Sequence, residues 1–268
     1  MQDKKHDIEI LIATMHRNNL DFLKNMFPDG YEQLQLLIVN QTDKNTILES
    51  NSKHIKVINS FEKGLSKSRN LALEHATSTI CLFADDDVIF LNGFETTIKK
   101  AFQENNAAVI TFQTQTTDGN LFWNYPSKNG FHKQLNKILS PEIAINRKKI
   151  IANNIRFDEQ FGLGATFEDS ENYIFLKEVS SKLQMPYFYK KTIGTHPPET
   201  SSDQVASDKH LYARAALNYK FHKNLVYLWL IKMLFFLLRT KRISFNEAPK
   251  KWQIALAGIQ KYKALNHA

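Results

Sequence analysis

The stretch Thr79-Ile-Cys-Leu-Phe-Ala-Asp-Asp-Asp-Val-Ile89 decides the fold. An apolar run of strand length stops on three carboxylates, Asp85, Asp86 and Asp87. Such a run reads as a strand buried on both faces, the habit of a parallel sheet. Carboxylates at the end of a buried strand are costly unless a cation meets them. In an open α/β sheet, ligands gather at the carboxyl ends of strands. A divalent cation carrying phosphates satisfies both conditions, and hard oxygen ligands suit Mn²⁺ or Mg²⁺. A solvated acidic turn capping the next helix is the competing reading.

Working outward, residues 7 to 14 and Leu36-Leu-Ile-Val39 read as further strands, and His54 to Ile58 as a short one. Residues 20 to 27 predict a short helix ended near Pro28-Asp-Gly30, and residues 64 to 76 a helix capped by Ser66. Phe94, Ile98, Ala101 and Phe102 keep helical spacing, and Val109 to Phe112 returns to strand. Strands alternating with helices over residues 1 to 115 predict a mostly parallel central sheet flanked by helices. Residues 116 to 206 are less regular, with short strands expected at Leu121-Phe-Trp123 and Glu142 to Ile145 and a helix from Asp169 to Lys182. The loop His196-Pro-Pro-Glu-Thr-Ser-Ser-Asp203 marks the edge of a first domain, 1 to 206, and is a candidate lid.

Residues 207 to 268 form a helical extension of different character. From Lys209 onward there are twelve Lys or Arg against the single Glu247, about +11, so the rest of this +8 chain is about −3. Residues 225 to 238 are apolar except for Lys232, with Lys220 and Lys223 before them and Arg239, Lys241 and Arg242 after. Fourteen residues are short for a membrane span. An apolar block with basic edges suits a helix lying in an anionic membrane interface; the competing reading is a helix buried on the core with its charges solvated. Nucleic acid is disfavoured, because the cations border one hydrophobic block instead of forming a stripe with spaced aromatics. Cys81 is the only cysteine, which excludes an intrachain disulfide and fits a reducing compartment. The polar start lacks the apolar core of a signal peptide, so the expected place is cytoplasmic, on the inner face of the cell membrane.

Four segments occur in a telling order: Ile10-Leu-Ile-Ala-Thr-Met-His-Arg17, Gly64-Leu-Ser-Lys-Ser-Arg-Asn70, Ala84-Asp-Asp-Asp87 and Phe157-Asp-Glu-Gln-Phe-Gly-Leu-Gly-Ala-Thr-Phe-Glu-Asp-Ser-Glu171. Together they resemble the family 2 glycosyltransferases of the GT-A fold, over roughly residues 7 to 200. Two departures stand out. The second strand ends in Asn40-Gln-Thr-Asp43 where the family has an acidic turn, and Ala84 sits where a first Asp is often found.

The resemblance implies an inverting, metal-dependent transfer of a hexose or N-acetylhexosamine from a nucleotide sugar, UDP by preference, to a saccharide hydroxyl. A lipid-linked acceptor and a bacterial capsule or O-antigen pathway would match the C-terminal segment. The implied donor site comprises Ala13, Thr14, Arg17, Asp43, Arg69, Asp85 and Asp86. The metal falls to Asp86 first, with Asp87 and His196, and could be Mn²⁺ or Mg²⁺. Asp169 is the implied general base, with Glu168 orienting it or touching the acceptor. Trp123 and Gly164 complete the acceptor side. Several residues also have plain structural readings: Asp43 as a turn residue, Arg69 as a salt bridge to the Asp cluster, Trp123 as core packing. A non-catalytic binding protein of the same fold is the main competing function. A nucleotidyltransferase is a weaker one, since Thr14-Met-His-Arg-Asn18 lacks a glycine-rich triphosphate loop.

Overall fold

The computed structural model describes residues 8–197 and 205–266. Most of the loop read as a lid therefore lies outside the described residues, as does the polar start of the chain. By internal contacts the chain divides into two compact units. One is Met1–Asp158 with Asn172–Pro198, and the other is Glu159–Glu171 with Glu199–Ala268.

In the first unit the elements follow in the order β1 (Ile8–Met15), α1 (Phe22–Met26), β2 (Gln35–Gln41), β3 (Ile55–Ser60), α2 (Leu65–His75), β4 (Ile80–Asp85), β5 (Ile89–Phe90), α3 (Phe94–Glu104), β6 (Val109–Gln115), β7 (Gly130–Phe131), β8 (Ile143–Asn146), α4 (Arg147–Ala152), α5 (Glu171–Lys182) and β9 (Tyr187–Thr195). The nine strands make one sheet in the order β3-β2-β1-β4-β8-β6-β9-β5, with β7 also on β9. β3, β2, β1 and β4 are mutually parallel, as expected. β8 then runs antiparallel to both β4 and β6, so the second half of the sheet is mixed.

The strand period of two distributes side chains between two cores. Ile10, Ile12, Leu36, Ile38, Leu82 and Ala84 point to one, where Leu23 and Met26 of α1 and Ile98 and Ala101 of α3 close it. Leu11, Leu37, Val39, Cys81 and Phe83 point to the other, with Ala72 and Leu73 of α2, Ile150 of α4 and Phe175, Leu176 and Val179 of α5. This two-sided cover is why β4 reads as an unbroken apolar run.

Three local expectations are corrected. α2 starts at Leu65 behind Gly64, whose φ of 129° suits glycine, and no side chain caps it; Ser66 lies inside the helix. Leu121-Phe-Trp123 is not a strand. The turn Thr116–Asn120 permits a single bridge, Gln115 to Leu121, and the rings of Phe122 and Trp123 then meet edge-on at 5.1 Å. α5 begins at Glu171, not Asp169, because Ser170 has φ 71° and breaks the helical path.

The second unit contains α6 (Asp208–His222), α7 (Val226–Arg239) and α8 (Ala248–Asn266). Ser207 caps α6, its hydroxyl accepting from the His210 N–H. α6 and α8 touch closely at Gly258, where a β-carbon would collide with the Tyr212 carbonyl. Phe161, Phe167, Tyr212 and Tyr262 form an aromatic cluster in this unit. The helical run Asp208–Arg239 is long and apolar enough to cross a membrane by length and composition, but Lys223, with φ 48°, interrupts it. α7 buries only Val226, Leu230 and Leu237. Leu228, Ile231, Phe235 and Phe236 are exposed on it, Phe235 at 65%, and Leu225 just before it is exposed too. Of the two readings of this block, burial against a core accounts for only its narrow inner stripe.

Candidate active site

The site grows from the end of β4. Parallel pairing sets Ala13 of β1 opposite Asp85, which brings Thr14 and Arg17 to the three carboxylates. Each carboxylate has a different environment. Asp85 accepts a hydrogen bond from Arg69 Nη2 at 3.0 Å. Asp86 Oδ2 accepts from Thr14 Oγ1 at 2.5 Å and from Arg17 Nε and Nη2 at 2.9 and 2.7 Å. Asp87 faces His196, with Nε2 3.8 Å from Oδ1. Burial pushes the Asp87 carboxyl above its ordinary value, His196 opposes that rise, and the like charges of Asp85 and Asp86 add to it.

Arg69 is 2% exposed and could not sit there alone. α2 carries it over the Phe157 ring at 5.4 Å. Its second nitrogen donates to Asn172 Oδ1 at 2.9 Å, and Ser140 Oγ accepts from Nη2. The neighbouring Asn70 exchanges two hydrogen bonds with the Phe157 backbone, at 2.9 and 2.8 Å. The consecutive Arg-Asn pair thus has two jobs: the arginine neutralises the acidic strand end, and the asparagine fixes the chain entering the next segment.

The adjoining rim is tied by amides. Asn40, fully buried, accepts from the Arg17 N–H at 3.1 Å and donates to the Arg17 carbonyl and Asn59 Oδ1 at 2.9 and 3.0 Å. Asn59 in turn exchanges hydrogen bonds with the Leu48 backbone at 3.0 and 2.9 Å. Asp43 is exposed, and its carboxylate accepts from the Asn45 N–H at 2.8 Å in a local turn.

His196 has one nitrogen engaged. Nδ1 lies 2.7 Å from the Pro197 carbonyl, which can only accept, so Nδ1 carries a proton and Nε2 is the nitrogen turned toward Asp87. That is the tautomer of a metal ligand whose other nitrogen is held by a carbonyl. Among the described residues no three His, Cys, Asp or Glu converge on one point. One carboxylate and one imidazole nevertheless suit a cation that takes its remaining ligands from phosphates and water. Phe122 packs edge-on against His196 at 5.5 Å, and Trp123 follows it with a buried indole N–H that has no partner among the described residues.

In the second unit, Gly162 and Gly164 adopt φ of 103° and 76° in a turn that the Phe161–Phe167 bridge closes. Asp169 Oδ2 lies 2.5 Å from Arg214 Nε and 3.5 Å from His210 Nδ1. Glu168 pairs with the exposed Lys209 at 2.9 Å. Sequence reasoning missed Ser140, Asn172, His210 and Arg214. The first two act across 71 and 103 residues of chain and leave no local signal. His210 and Arg214 do leave one: a polar pair four apart inside an otherwise Ala- and Leu-rich helix face.

The family model for Glycosyl transferase family 2 matches residues 5–164. No curated protein matches the chain in sequence. Solved structures of similar fold include S. aureus TarS 1-349, with TM-score 0.57 and 15% identity over 96% of this chain and 80% of that one. TarS 1-349 in complex with UDP-GlcNAc gives TM-score 0.59 and 16% identity, over 97% and 83%. A further structure of S. aureus TarS gives 0.61 and 15%, with 96% of this chain and 49% of that chain covered.

Proposed function

The chain belongs to glycosyl transferase family 2, and we propose that it is an inverting, divalent-metal-dependent enzyme that moves a hexose or N-acetylhexosamine from a UDP-sugar to a saccharide hydroxyl. The observation that carries this reading is the strand end itself: Asp87 beside a correctly poised His196, with Asp85 held by a buried arginine. UDP as the nucleotide is supported by the UDP and UDP-GlcNAc complexes of TarS, which shares the fold.

Asp87 and His196 would hold Mn²⁺ or Mg²⁺. Asp86 is less suited to lead, because Thr14 and Arg17 already occupy one of its oxygens. When bound, the ion offsets the negative charge that gathers on the leaving diphosphate. Arg17 and Arg69 keep the neighbouring carboxylates paired, so that the donor's phosphates do not meet three bare negative charges. As the acceptor oxygen bonds to the anomeric carbon, the bond from that carbon to the diphosphate oxygen breaks. The nucleoside diphosphate leaves with the electron pair. The acceptor's hydroxyl proton passes to Asp169, and one displacement inverts the anomeric centre. Trp123 would stack on the acceptor sugar.

Action at a membrane, with a lipid-linked acceptor in cell-surface polysaccharide assembly, is the second part of the proposal. It is supported by α7, whose outward face is apolar with Lys232 and Arg239 set among the exposed residues. Long cationic side chains can reach headgroups from such a face.

Calorimetry with UDP, GDP, CMP and their common sugar conjugates, with and without Mn²⁺, tests the enzymatic reading. Metal-dependent binding of one nucleotide sugar, followed by its turnover, is expected. A folded protein that binds none of them would overturn it.

A further inference from the structure

Asp169 has a costly setting. Arg214 Nε and His210 Nδ1 both approach the same oxygen, Oδ2. All three atoms are buried, and none makes a well-directed hydrogen bond among the described residues. As a stability device this is poor, since a buried ion pair offsets its desolvation only with good geometry and satisfied neighbours. The next residue adds to the cost. Ser170 is held at φ 71°, a left-handed conformation that disfavours a side chain, and its buried hydroxyl has no partner among the described residues. Energetic cost concentrated around one carboxylate is the signature of a group held for a task.

The arrangement also distinguishes the two oxygens. The Asp side chain has a broad torsion about its last bond, so a lone carboxylate samples many orientations. Fixing Oδ2 from α6 restricts that freedom and leaves Oδ1 outside the ion pair. Arg214 presents a rigid planar guanidinium group. Burial holds the His210 imidazole below its ordinary value, against the pull of Asp169, so it is the neutral partner of the pair.

We infer that Arg214, with His210 beside it, is a positioning residue that orients Asp169 so that Oδ1 receives the acceptor's proton. The inference rests on the reading of Asp169 as the base. Orientation errors of about 1 Å cost on the order of 100-fold in rate, which sets the scale of the effect.

The test is hydrolysis of UDP-GlcNAc, UDP-glucose and UDP-galactose by the full chain in Mn²⁺, with UDP affinity measured separately. Asp169→Asn should be inactive. Arg214→Met should lose about 30- to 100-fold in kcat, with KM and UDP affinity unchanged. Arg214→Lys, which restores the charge without the planar fork, should regain part of that loss. His210→Gln should lose about 3- to 10-fold, and it serves in place of Arg214→Met if that variant does not fold. An inactive Asp169→Asn beside Arg214→Met and His210→Gln variants of ordinary kcat would overturn the positioning role and leave the base standing. Loss of UDP affinity in step with kcat, or a Lys variant no better than Met, would make Arg214 merely structural. An active Asp169→Asn, or a wild-type chain that hydrolyses none of the three donors, would remove the base reading and this inference together.

Discussion

Replacing Glu142 by Gln should flatten the dependence of stability on pH. Glu142 is fully buried at the entry to β8. Oε1 accepts from Thr114 Oγ1 at 2.7 Å and from the Tyr125 hydroxyl, and Oε2 accepts from the Leu139 N–H at 3.1 Å. These donors favour the ionised form, but burial outweighs them and raises the carboxyl from 4.5 to about 7. A raised carboxyl means that the folded state holds its proton more tightly than the unfolded chain. The resulting stability is complete below pH 4.5 and is lost as pH rises through 7. At 1.36 kcal/mol per unit, about 2–3 kcal/mol should disappear between pH 5 and pH 8. Glutamine resembles the protonated acid and cannot titrate, so the variant lacks this loss. It also turns an amide N–H₂ toward Leu139 N–H, a pH-independent cost of about 1 kcal/mol. Urea unfolding of both proteins at half-unit steps from pH 5 to 8 isolates the slope, because every other group titrates alike in the two. Parallel curves would show that the hydroxyl donors keep Glu142 ionised throughout and that the reasoning on burial is wrong.

Three further outcomes are expected. Asp87→Asn should remove the Mn²⁺-dependent gain in UDP affinity measured by calorimetry, about 10-fold or more, whereas Asp86→Asn should weaken binding less by releasing Arg17; the opposite ranking would return the leading metal role to Asp86. Gly258→Ala should cost about 1–3 kcal/mol in thermal unfolding, since the added methyl meets backbone of Tyr212 that cannot turn aside; an unchanged melting temperature would show that α6 and α8 separate freely. Combined Leu228→Ser, Ile231→Ser and Phe235→Ser should cut co-sedimentation with phosphatidylglycerol vesicles about 10-fold or more without lowering thermal stability, because all three side chains are exposed; undiminished sedimentation would discard α7 as the docking face.

Residues 79 to 89 made the sheet legible because β4 is covered on both faces and therefore writes its burial into every position. The strands that pair with it in parallel carry the same signature. The mixed half of the sheet was harder, since β5, β7 and β8 are two to four residues long and hold their places through partners distant in the chain. The acidic cluster was visible as a cluster, but not the division of labour within it. That division depends on Thr14, Arg17, Arg69 and His196, which arrive from β1, the loop after it, α2 and the end of β9. Ala84 in place of an Asp was a distraction of register: β4 ends at Asp85, and Asp85 is the carboxylate that the buried arginine meets. At the other end of the chain, composition showed an apolar helix but not its outward face, because α7 is apolar nearly all round and periodicity fades.

The amide relay from Arg17 through Asn40 and Asn59 to Leu48 has a consequence for selectivity. It ties the segments that follow β1 and β2 to the ends of β2 and β3 in one frame before any ligand arrives. On the proposed reading, a donor base docking against this frame would meet a preformed wall, so little protein entropy would be lost on entry. The same stiffness prevents the frame from widening. A larger ring would be refused at the threshold instead of being bound more weakly by a yielding wall, and discrimination between purine and pyrimidine would follow from carpentry alone.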